Sequence, residues 1–452
     1  MNVTVIGVGY VGIVTGIVHA YLGNDVVCID SDKQKIAKLN QGILPIYEPG
    51  LEELFYKIRD NITFTEDYAL ALKNSEIVFV AVGTPSKEDG SPSDKNIREV
   101  VNYLVQHLIK EDVIIVNKST VPIGSGNWMQ SRIDEELKKK YGTKKLFHIV
   151  SNPEFLREGS AIYDMLYPDR IILGADNEYA KKKLLSLYEP IVKRTFIPPS
   201  HIEEVQYESK PVIFETNIVT AELIKYSANA FLALKISFIN EIACLSERIG
   251  ADIIDVANGI GLDKRIGKSF LEAGIGWGGS CFGKDTDALM HIAKEYDINL
   301  NIVNECRKLN YDMRKLAVKK IQSELKIVAG KTIGIMGLTF KPGTDDLRDS
   351  PAIDIAQELL KLNAKVRAYD PVAMERAKIQ FEGMEIEYVK SLEDLFEQAD
   401  GVVLATSWSM FPKIDWNAIK EKMRFPLLFD GRNCLDQEKM KSIGFRIIGV
   451  GR

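Results

Sequence analysis

Cys281 has neighbours that suit a reactive thiol. It lies in the run GIGWGGSCFGKD, residues 274–285, after a series of glycines and before a lysine and an aspartate. The thiolate is the reactive form, and the Lys284 ammonium and the backbone amides of the turn would favour it. Asp285 could act as the base for an attacking water. An isolated cysteine is more often a small apolar filler, but this context favours a nucleophile.

The glycines near the N-terminus predict a cofactor site. Gly7, Gly9 and Gly12 form a GxGxxG motif between a strand-like run and a helical one, as in a dinucleotide-binding turn. Asp30 ends the next strand, where a carboxylate binds the ribose hydroxyl of NAD and repels the extra phosphate of NADP. The alternative is a glycine turn that only packs, beside a surface aspartate. We predict NAD as the cofactor and, because no histidine or cysteine spacing suits zinc, no metal.

A thiol combined with NAD suggests oxidation of an aldehyde to an acid. The thiolate adds to the carbonyl, the thiohemiacetal gives up a hydride, and water hydrolyses the resulting thioester. A simple alcohol dehydrogenase needs no thiol. Lys225 and Asn229 lie four residues apart, on one helix face, and could stabilise an oxyanion. The alternative is a solvated pair on a helix surface.

The elements that would position these residues predict an α/β protein. Short β-branched runs alternate with helical patterns in the first part of the chain, which indicates a parallel sheet covered by helices. We expect its strands at 3–7, 26–30, 77–82, 113–118, 147–151 and 170–174. A second alternating block begins near residue 331, with strand-like runs in KTIGIMGLTFKPG, AKVRAYDP, GVVLAT, PLLFDGRN and FRIIGVG. Between the two blocks, apolar residues at helical spacing predict a long helix over 215–249.

The prediction is therefore two doubly wound, Rossmann-like domains joined by a long central helix and a helical middle segment. We divide the chain into 1–200, 201–325 and 326–452. The chain has 452 residues, too many for one core. We expect no further dinucleotide site in the last part, whose glycine turn lacks the third glycine of the motif.

The amino-acid composition argues against nucleic acid and membranes as partners. With 46% hydrophobic residues, 27% charged residues and a net charge of −5, the chain has no electrostatic footprint for nucleic acid. No apolar run reaches the length of about 18 residues that a membrane span needs, and the first residues lack a signal-peptide pattern. Five scattered cysteines are typical of a reducing compartment, so we expect a cytoplasmic protein.

Taken together, the motifs resemble those of the nucleotide-sugar 6-dehydrogenases, the UDP-glucose/GDP-mannose dehydrogenase family. The resemblance extends from end to end. It rests on GVGYVG (7–12), GTP (83–85), STVPIGS (119–125), NPEFLREGSAIYDMLYPDR (152–170), AELIKYSANAFLALKISFINE (221–241), GIGWGGSCFGKD (274–285), TFKPGTDDLRDSP (339–351) and DGRN (430–433). It implies two successive NAD-dependent oxidations at the C6 alcohol of a nucleotide sugar, with two NADH formed.

The resemblance also implies residue roles. The implied catalytic residues are Cys281 as nucleophile, Lys225 and Asn229 as the oxyanion and water-binding pair, Asp285 as base, and Thr120 and Glu154. The implied cofactor contacts are Gly7, Gly9, Tyr10, Val11, Gly12, Asp30, Lys35, Thr84, Thr120, Glu158, Lys284 and Arg348. The implied substrate contacts are Glu154, Phe155, Leu156, Arg157, Glu158, Lys225, Asn229, Arg265, Phe270, Leu271, Glu272, Ala273, Gly274, Gly278, Lys341 and Arg432.

By the same resemblance, segment 1–200 would bind NAD, 201–325 would form a homodimer or higher homo-oligomer and carry the cysteine loop, and 326–452 would bind a UDP-sugar. Arg265 would reach the substrate across the dimer. The 152–170 segment favours UDP-glucose, with GDP-mannose and an N-acetylated UDP-hexosamine as alternatives. Two departures are Gly283, where the family often has proline, and a connector over 197–216 that looks longer than usual.

Two other classes remain open. A single-step dehydrogenase of the same fold would form one NADH per substrate and would not need Cys281. A non-catalytic scaffold would keep the fold but would have lost some of Cys281, Lys225, Asn229 and Asp285, and all four are present. Fold alone does not decide between these classes.

Overall fold

The computed structural model describes residues 1–87, 89–107, 110–142, 147–202 and 210–452. These residues divide into two compact units. The first consists of Met1–Ala228 and Asp287–Glu295, and the second of Asn229–Thr286 and Tyr296–Arg452. Each unit is built around its own sheet.

The first unit alternates strands and helices along the chain. Its strands are β1 (Asn2–Ile6), β2 (Asp25–Ile29), β3 (Ile62–Thr65), β4 (Ile77–Val80), β5 (Val113–Asn117), β6 (Phe147–Ser151), β7 (Arg170–Gly174) and β8 (Val212–Thr216). Its helices are α1 (Tyr10–Tyr21), α2 (Lys33–Asn40), α3 (Leu51–Lys57), α4 (Tyr68–Leu72), α5 (Lys95–His107), α6 (Ser125–Tyr141), α7 (Ala161–Leu166) and α8 (Glu178–Lys193), with a short 3-10 turn at Arg59–Asn61.

The remaining elements begin with the long helix α9. They are α9 (Ile218–Ile249), α10 (Ile253–Gly261), α11 (Phe282–Glu295), α12 (Asn301–Leu325), β9 (Thr332–Met336), α13 (Pro351–Lys361), β10 (Lys365–Tyr369), α14 (Met374–Gln380), β11 (Ile386–Tyr388), α15 (Leu392–Phe396), β12 (Gly401–Leu404), α16 (Trp416–Lys420), β13 (Leu427–Asp430), α17 (Gln437–Ile443) and β14 (Arg446–Ile448), with a 3-10 turn at Phe411–Lys413.

The sheet of the first unit places the candidate cofactor turn at a reversal of strand order. Among the described residues it has eight strands in the order β3-β2-β1-β4-β5-β6-β7-β8. The strand pairs are parallel except β6–β7, which meet at Ser151 and Gly174. β4 and β5 are buried along their whole length, as is expected of strands covered by helices on both faces. The crevice beside β1 and β4 is where open α/β sheets bind ligands.

The sheet of the second unit repeats this arrangement. Among the described residues it has six strands in the order β11-β10-β9-β12-β13-β14, and every pair is parallel. Its own reversal of strand order lies between β9 and β12. The predicted fold class, two doubly wound α/β sheets with a long central helix, is confirmed.

Three strands were absent from the prediction, and each has a physical reason. β3 (ITFT) and β11 (IEY) alternate apolar with polar residues over four and three positions, so they lack the continuous apolar run that marks strands such as β4. β8 lies inside the connector predicted over 197–216, and residues 203–209 of that connector lie outside the described residues. The division into 1–200, 201–325 and 326–452 stays a prediction.

Helix α9 has 32 residues. Its length and apolar composition alone would allow it to cross a membrane. Core helices of soluble proteins meet the same criterion. The helix also carries Glu222, Lys225, Asn229 and Asn240, all of which are buried within the protein, and Lys225 and Asn229 belong to the sites described next.

Candidate active site

The turn between β1 and α1 has the geometry of a dinucleotide cradle. Gly7 has φ +93°, a left-handed conformation that favours glycine. A Cβ on Gly12 would lie 1.8 Å from the carbonyl oxygen of Gly7, whereas a Cβ on Gly9 would meet nothing within 4 Å. Gly12 is therefore required by the packing of the turn itself, and Gly9 leaves open space over the first turn of α1, where backbone amides bind phosphate.

The carboxylate of Asp30 lies at the edge of this turn. It accepts hydrogen bonds from the backbone N–H of Val8 at 2.8 Å and from the Lys35 ammonium at 2.8 Å. Burial alone would raise the pKa of Asp30, but Lys35 and the amides of Asp32 and Val8 hold it below its ordinary value. A charged carboxylate beside the cradle fits the ribose hydroxyls of NAD.

A cavity of about 230 Å³ adjoins the turn. Gly7, Gly9, Asp30 and Lys35 line it, as predicted cofactor contacts should. The remaining lining residues were not predicted as cofactor contacts, although Gly83 belongs to the GTP motif. They are Ile6, Ser31, Tyr68, Ala81, Val82, Gly83, Asn96, Glu99, Val100 and Tyr103. Asn96, Glu99 and Tyr103 recur at helical spacing on α5. This polar stripe is the sequence pattern that could have predicted their place at the cavity.

Lys225 and Glu154 form an ion pair in the first unit. The Lys225 ammonium lies 3.1 Å from Glu154 Oε1, and Glu154 Oε2 accepts from the backbone N–H of Leu156 at 2.7 Å. Only 4% of the Lys225 surface is exposed, so the alternative of a solvated lysine on a helix surface is wrong. Burial alone would raise the pKa of Glu154, but Lys225, the Leu156 amide and Lys118 hold it below its ordinary value.

Lys118 is a second buried cation near this pair, and the sequence analysis missed it. Burial lowers the pKa of Lys118 to about 8, with the charge of Glu154 opposing this shift and that of Lys225 adding to it. The residue directly follows β5, at the same sheet edge as the cofactor turn. The sequence pattern that could have identified Lys118 is a lysine placed between a buried strand and the STVPIGS motif. Next to it, Thr120 accepts a hydrogen bond at its carbonyl from the Thr84 hydroxyl at 2.6 Å.

In the second unit, Asn229 and Asp285 contact each other beside the thiol. Asn229 Nδ2 donates to Asp285 Oδ2 at 2.6 Å, and the Lys284 ammonium lies 2.6 Å from Asp285 Oδ1. Both Asn229 and Asp285 are buried, so neither is an ordinary surface group. Cys281 is exposed, and its carbonyl accepts from the Asp285 N–H at the start of α11. The described part of this unit thus joins a reachable thiol to a buried carboxylate.

The glycine-rich run before Cys281 is buried and hydrogen-bonded. The Trp277 carbonyl accepts from Arg314 at 2.7 Å and from Asn310 at 3.0 Å. Gly278 must be glycine, since a Cβ there would lie 2.2 Å from the Asp349 carbonyl oxygen. The glycines of this run therefore permit close backbone approach, which fixes the loop that presents the thiol.

The other predicted substrate residues fall into two groups. In the first unit, the Phe155 ring lies beneath the Arg170 guanidinium at 4.1 Å, and Arg157 pairs with Asp164 at 2.6 Å. In the second unit, Leu271, Ala273, Gly274 and Gly278 are buried, Phe270 and Lys341 are half-buried, and Glu272 and Arg265 are exposed. Arg348, which was predicted as a cofactor contact, is also exposed.

Arg432 is engaged by the protein backbone. Its guanidinium donates to the carbonyls of Ala405 at 2.7 Å, Gly276 at 2.9 Å and Phe340 at 3.3 Å. Burial, followed by repulsion from Arg314, lowers the pKa of Arg432 to about 10. These contacts tie Arg432 to the thiol loop of its own unit. A direct contact of Arg432 with substrate stays a prediction.

Comparison with known proteins gives matches along the whole chain. Residues 1–192 match the NAD binding domain of the UDP-glucose/GDP-mannose dehydrogenase family, residues 219–312 its central domain, and residues 334–437 its UDP binding domain. A UDP-glucose 6-dehydrogenase of Bacillus subtilis is 42% identical, over 100% of this chain and 98% of its own length. The UDP-glucose 6-dehydrogenase of Rickettsia typhi is 44% identical, over 100% and 99%.

A solved structure agrees with these matches. The UDP-glucose dehydrogenase of the hyperthermophilic archaeon Pyrobaculum islandicum superimposes with a TM-score of 0.87 at 34% identity. The alignment covers 99% of this chain and 97% of that one.

Proposed function

Because the chain belongs to the UDP-glucose/GDP-mannose dehydrogenase family and is an NAD-dependent oxidoreductase, we propose that it oxidises C6 of UDP-glucose to the carboxylate of UDP-glucuronate. The observation that carries this proposal is the exposed Cys281 thiol at the start of α11, next to the buried Asp285–Asn229 pair. GDP-mannose and an N-acetylated UDP-hexosamine are the alternative substrates for the same chemistry.

The reaction transfers four electrons in two steps. NAD, when bound, would supply the hydride acceptor for each step, and the first oxidation would convert the C6 alcohol to an aldehyde. The Cys281 thiolate then adds to the aldehyde carbon to give a thiohemiacetal. Loss of a second hydride gives a thioester, and water hydrolyses it to the carboxylate with return of the thiol. The net change is one alcohol and one water converted to one carboxylate, with two NADH and protons released.

The polar pairs of the two units support distinct roles. Lys225 carries a buried positive charge that would stabilise the oxyanion of the thiohemiacetal, and Glu154 would hold that ammonium in place. Asp285 would take a proton from the attacking water, with Asn229 orienting it. Thr120 would position water near the nicotinamide end of the cofactor, on the turn that the Thr84 hydroxyl braces.

Substrate binding and assembly complete the proposal. The match of residues 334–437 to a UDP binding domain supports binding of a UDP-sugar, with residues 1–200 holding NAD and 201–325 forming the dimer segment. Arg265 has 89% of its side chain exposed, which suits a residue that reaches the substrate of a partner subunit. No disulfide joins the five cysteines, all of which lie within the described residues, and this supports a cytoplasmic location.

The test is the number of NADH formed per UDP-glucose consumed, for the wild type and for Cys281→Ser. We expect two NADH from the wild type. The variant should stall, or hold a trapped intermediate, because a serine hydroxyl is a much weaker nucleophile than a thiolate. One NADH per sugar with an unaffected variant would remove Cys281 from the mechanism. Two NADH with GDP-mannose or an N-acetylated UDP-sugar, and none with UDP-glucose, would keep the chemistry and change the substrate.

A further inference from the structure

Glu48 is a buried carboxylate at which two separate segments of the first unit meet. Its Oε2 accepts from the Gly159 N–H at 2.7 Å and its Oε1 from the Ala161 N–H at 2.7 Å. The Tyr10 hydroxyl donates a short hydrogen bond to the same Oε2. Both oxygens are occupied by donors, so the group binds as a carboxylate.

Tyr10 is part of the cofactor turn, and Gly159 is part of the loop that follows β6. The Gly159 N–H also lies 2.9 Å from the Tyr10 hydroxyl oxygen, which closes a three-membered polar cluster with Glu48. Burial and the nearby charge of Glu48 raise the pKa of Tyr10, so its hydroxyl stays protonated and remains a donor. The cluster therefore joins the two segments directly.

The loop from Glu154 to Ala161 is held at both ends. Lys225 anchors its start through Glu154 at 3.1 Å, and Glu48 anchors its end through two backbone amides. Between these anchors lie Phe155 to Glu158, the predicted contacts of sugar and cofactor. One carboxylate thus forms a contiguous contact between the cofactor turn at Tyr10 and this loop, through which a shift of one could reach the other.

We infer that Glu48 is a positioning residue that couples the cofactor turn to the sugar-contacting loop, so that each ligand tightens the binding of the other. The inference rests on the proposed function, because it takes residues 154–158 as the sugar-contacting loop. Among the described residues, the Glu48 side chain accepts hydrogen bonds from these two segments alone. Coupling of this kind is reciprocal between the two ligands.

The test measures the dissociation constant of NADH, from its fluorescence, with and without UDP-glucose. These two ligands are both reduced and cannot react with each other. In the wild type we expect UDP-glucose to tighten NADH binding by about 5-fold or more, the lower end of typical couplings. In Tyr10→Phe, which removes one hydroxyl and leaves the amide contacts of Glu48, and in Glu48→Gln, the ratio should fall to within about 2-fold of one.

Glu222→Gln is the matched control. Glu222 is also a buried carboxylate that accepts from two backbone amides at the start of a helix, those of Gly124 and Gly126, but it does not contact the cofactor turn. This variant should keep the wild-type ratio. A wild type that binds neither ligand contradicts the proposed function. A wild type that binds both ligands without coupling, or a Tyr10→Phe variant with undiminished coupling, contradicts the role of Glu48.

Discussion

Several polar side chains of this protein are buried by the fold. Glu222 shows how burial shifts the pKa of a single carboxyl group. Its carboxylate accepts at 2.6 Å from Gly124 and at 2.9 Å from Gly126, but no cation faces it in those contacts. Burial raises the pKa of Glu222 to about 7, with the two amide hydrogen bonds opposing the shift.

This raised pKa predicts a loss of stability as the pH rises. The ordinary value is 4.5, so between about pH 4.5 and 7 the folded protein holds a proton that the unfolded chain releases. The stabilisation is fully present below the unfolded value and is lost as the pH passes through the folded value. From pH 5 to 8, we expect the free energy of unfolding of the wild type to fall by about 2 kcal/mol more than that of Glu222→Gln.

Urea unfolding at the two pH values measures this difference. Glu52→Gln, which changes an exposed carboxylate on α3, is the control and should follow the wild type. An identical pH dependence in wild type and Glu222→Gln would mean that Glu222 is ionised throughout this range.

At the scale of elements, two glycines in the turn between β1 and α1 have different roles, one in packing and one in binding. Gly12 is needed for the turn to close, because a Cβ there would overlap the Gly7 carbonyl. Gly9 faces open space, so its lack of a side chain matters only when a phosphate approaches. The same motif therefore contains one glycine that serves stability and one that serves the cofactor.

This separation predicts opposite effects of two alanine substitutions. Gly12→Ala forces backbone displacement, and we expect the Tm of the ligand-free protein to fall by about 5 °C or more and NADH binding to be lost. Gly9→Ala should leave the Tm unchanged and weaken NADH binding about 10-fold or more, since the methyl group occupies the approach of the pyrophosphate. Differential scanning fluorimetry and NADH fluorescence measure the two effects. A normal Tm in Gly12→Ala would contradict the packing role.

At the scale of the whole molecule, the surface of α9 bears on assembly. Phe231, Phe238 and Leu245 are exposed and recur every seven residues, so they form one apolar stripe on the helix. Large apolar side chains exposed in a row are typical of an interface. The stripe supports the proposed homodimer, with a second copy of the chain covering it.

A charge in the stripe should therefore dissociate the dimer. We expect Phe238→Asp to sediment as a monomer of about 51 kDa, since the chain has a mass of 50.7 kDa and a buried unpaired carboxylate is costly. Ile379→Asp, at an exposed position on α14, is the matched control and should remain a dimer. Sedimentation velocity distinguishes the two states, and a dimeric Phe238→Asp would place the interface elsewhere.

The sequence by itself determined the fold class and the cofactor turn, and it predicts which thiol is reactive. These features depend on short-range patterns: alternation of strands and helices, glycines at fixed spacing next to a strand, and a cysteine followed by Lys284 and Asp285. Strand ends were predicted within a few residues for the same reason. β3 and β11 were not, because they alternate apolar with polar residues over too few positions to stand out from a loop, and β8 was not, because it lies within the connector.

The tertiary structure decided which charges are paired and buried. Asn229 contacts Asp285 across 56 positions of sequence, and Glu48 reaches Gly159 across 111. No local pattern encodes such contacts, because they arise only when separate elements pack against each other. That packing replaces the water around Lys225, Asn229 and Lys118 by protein groups. Their partners and protonation therefore follow from neighbours that are distant in sequence.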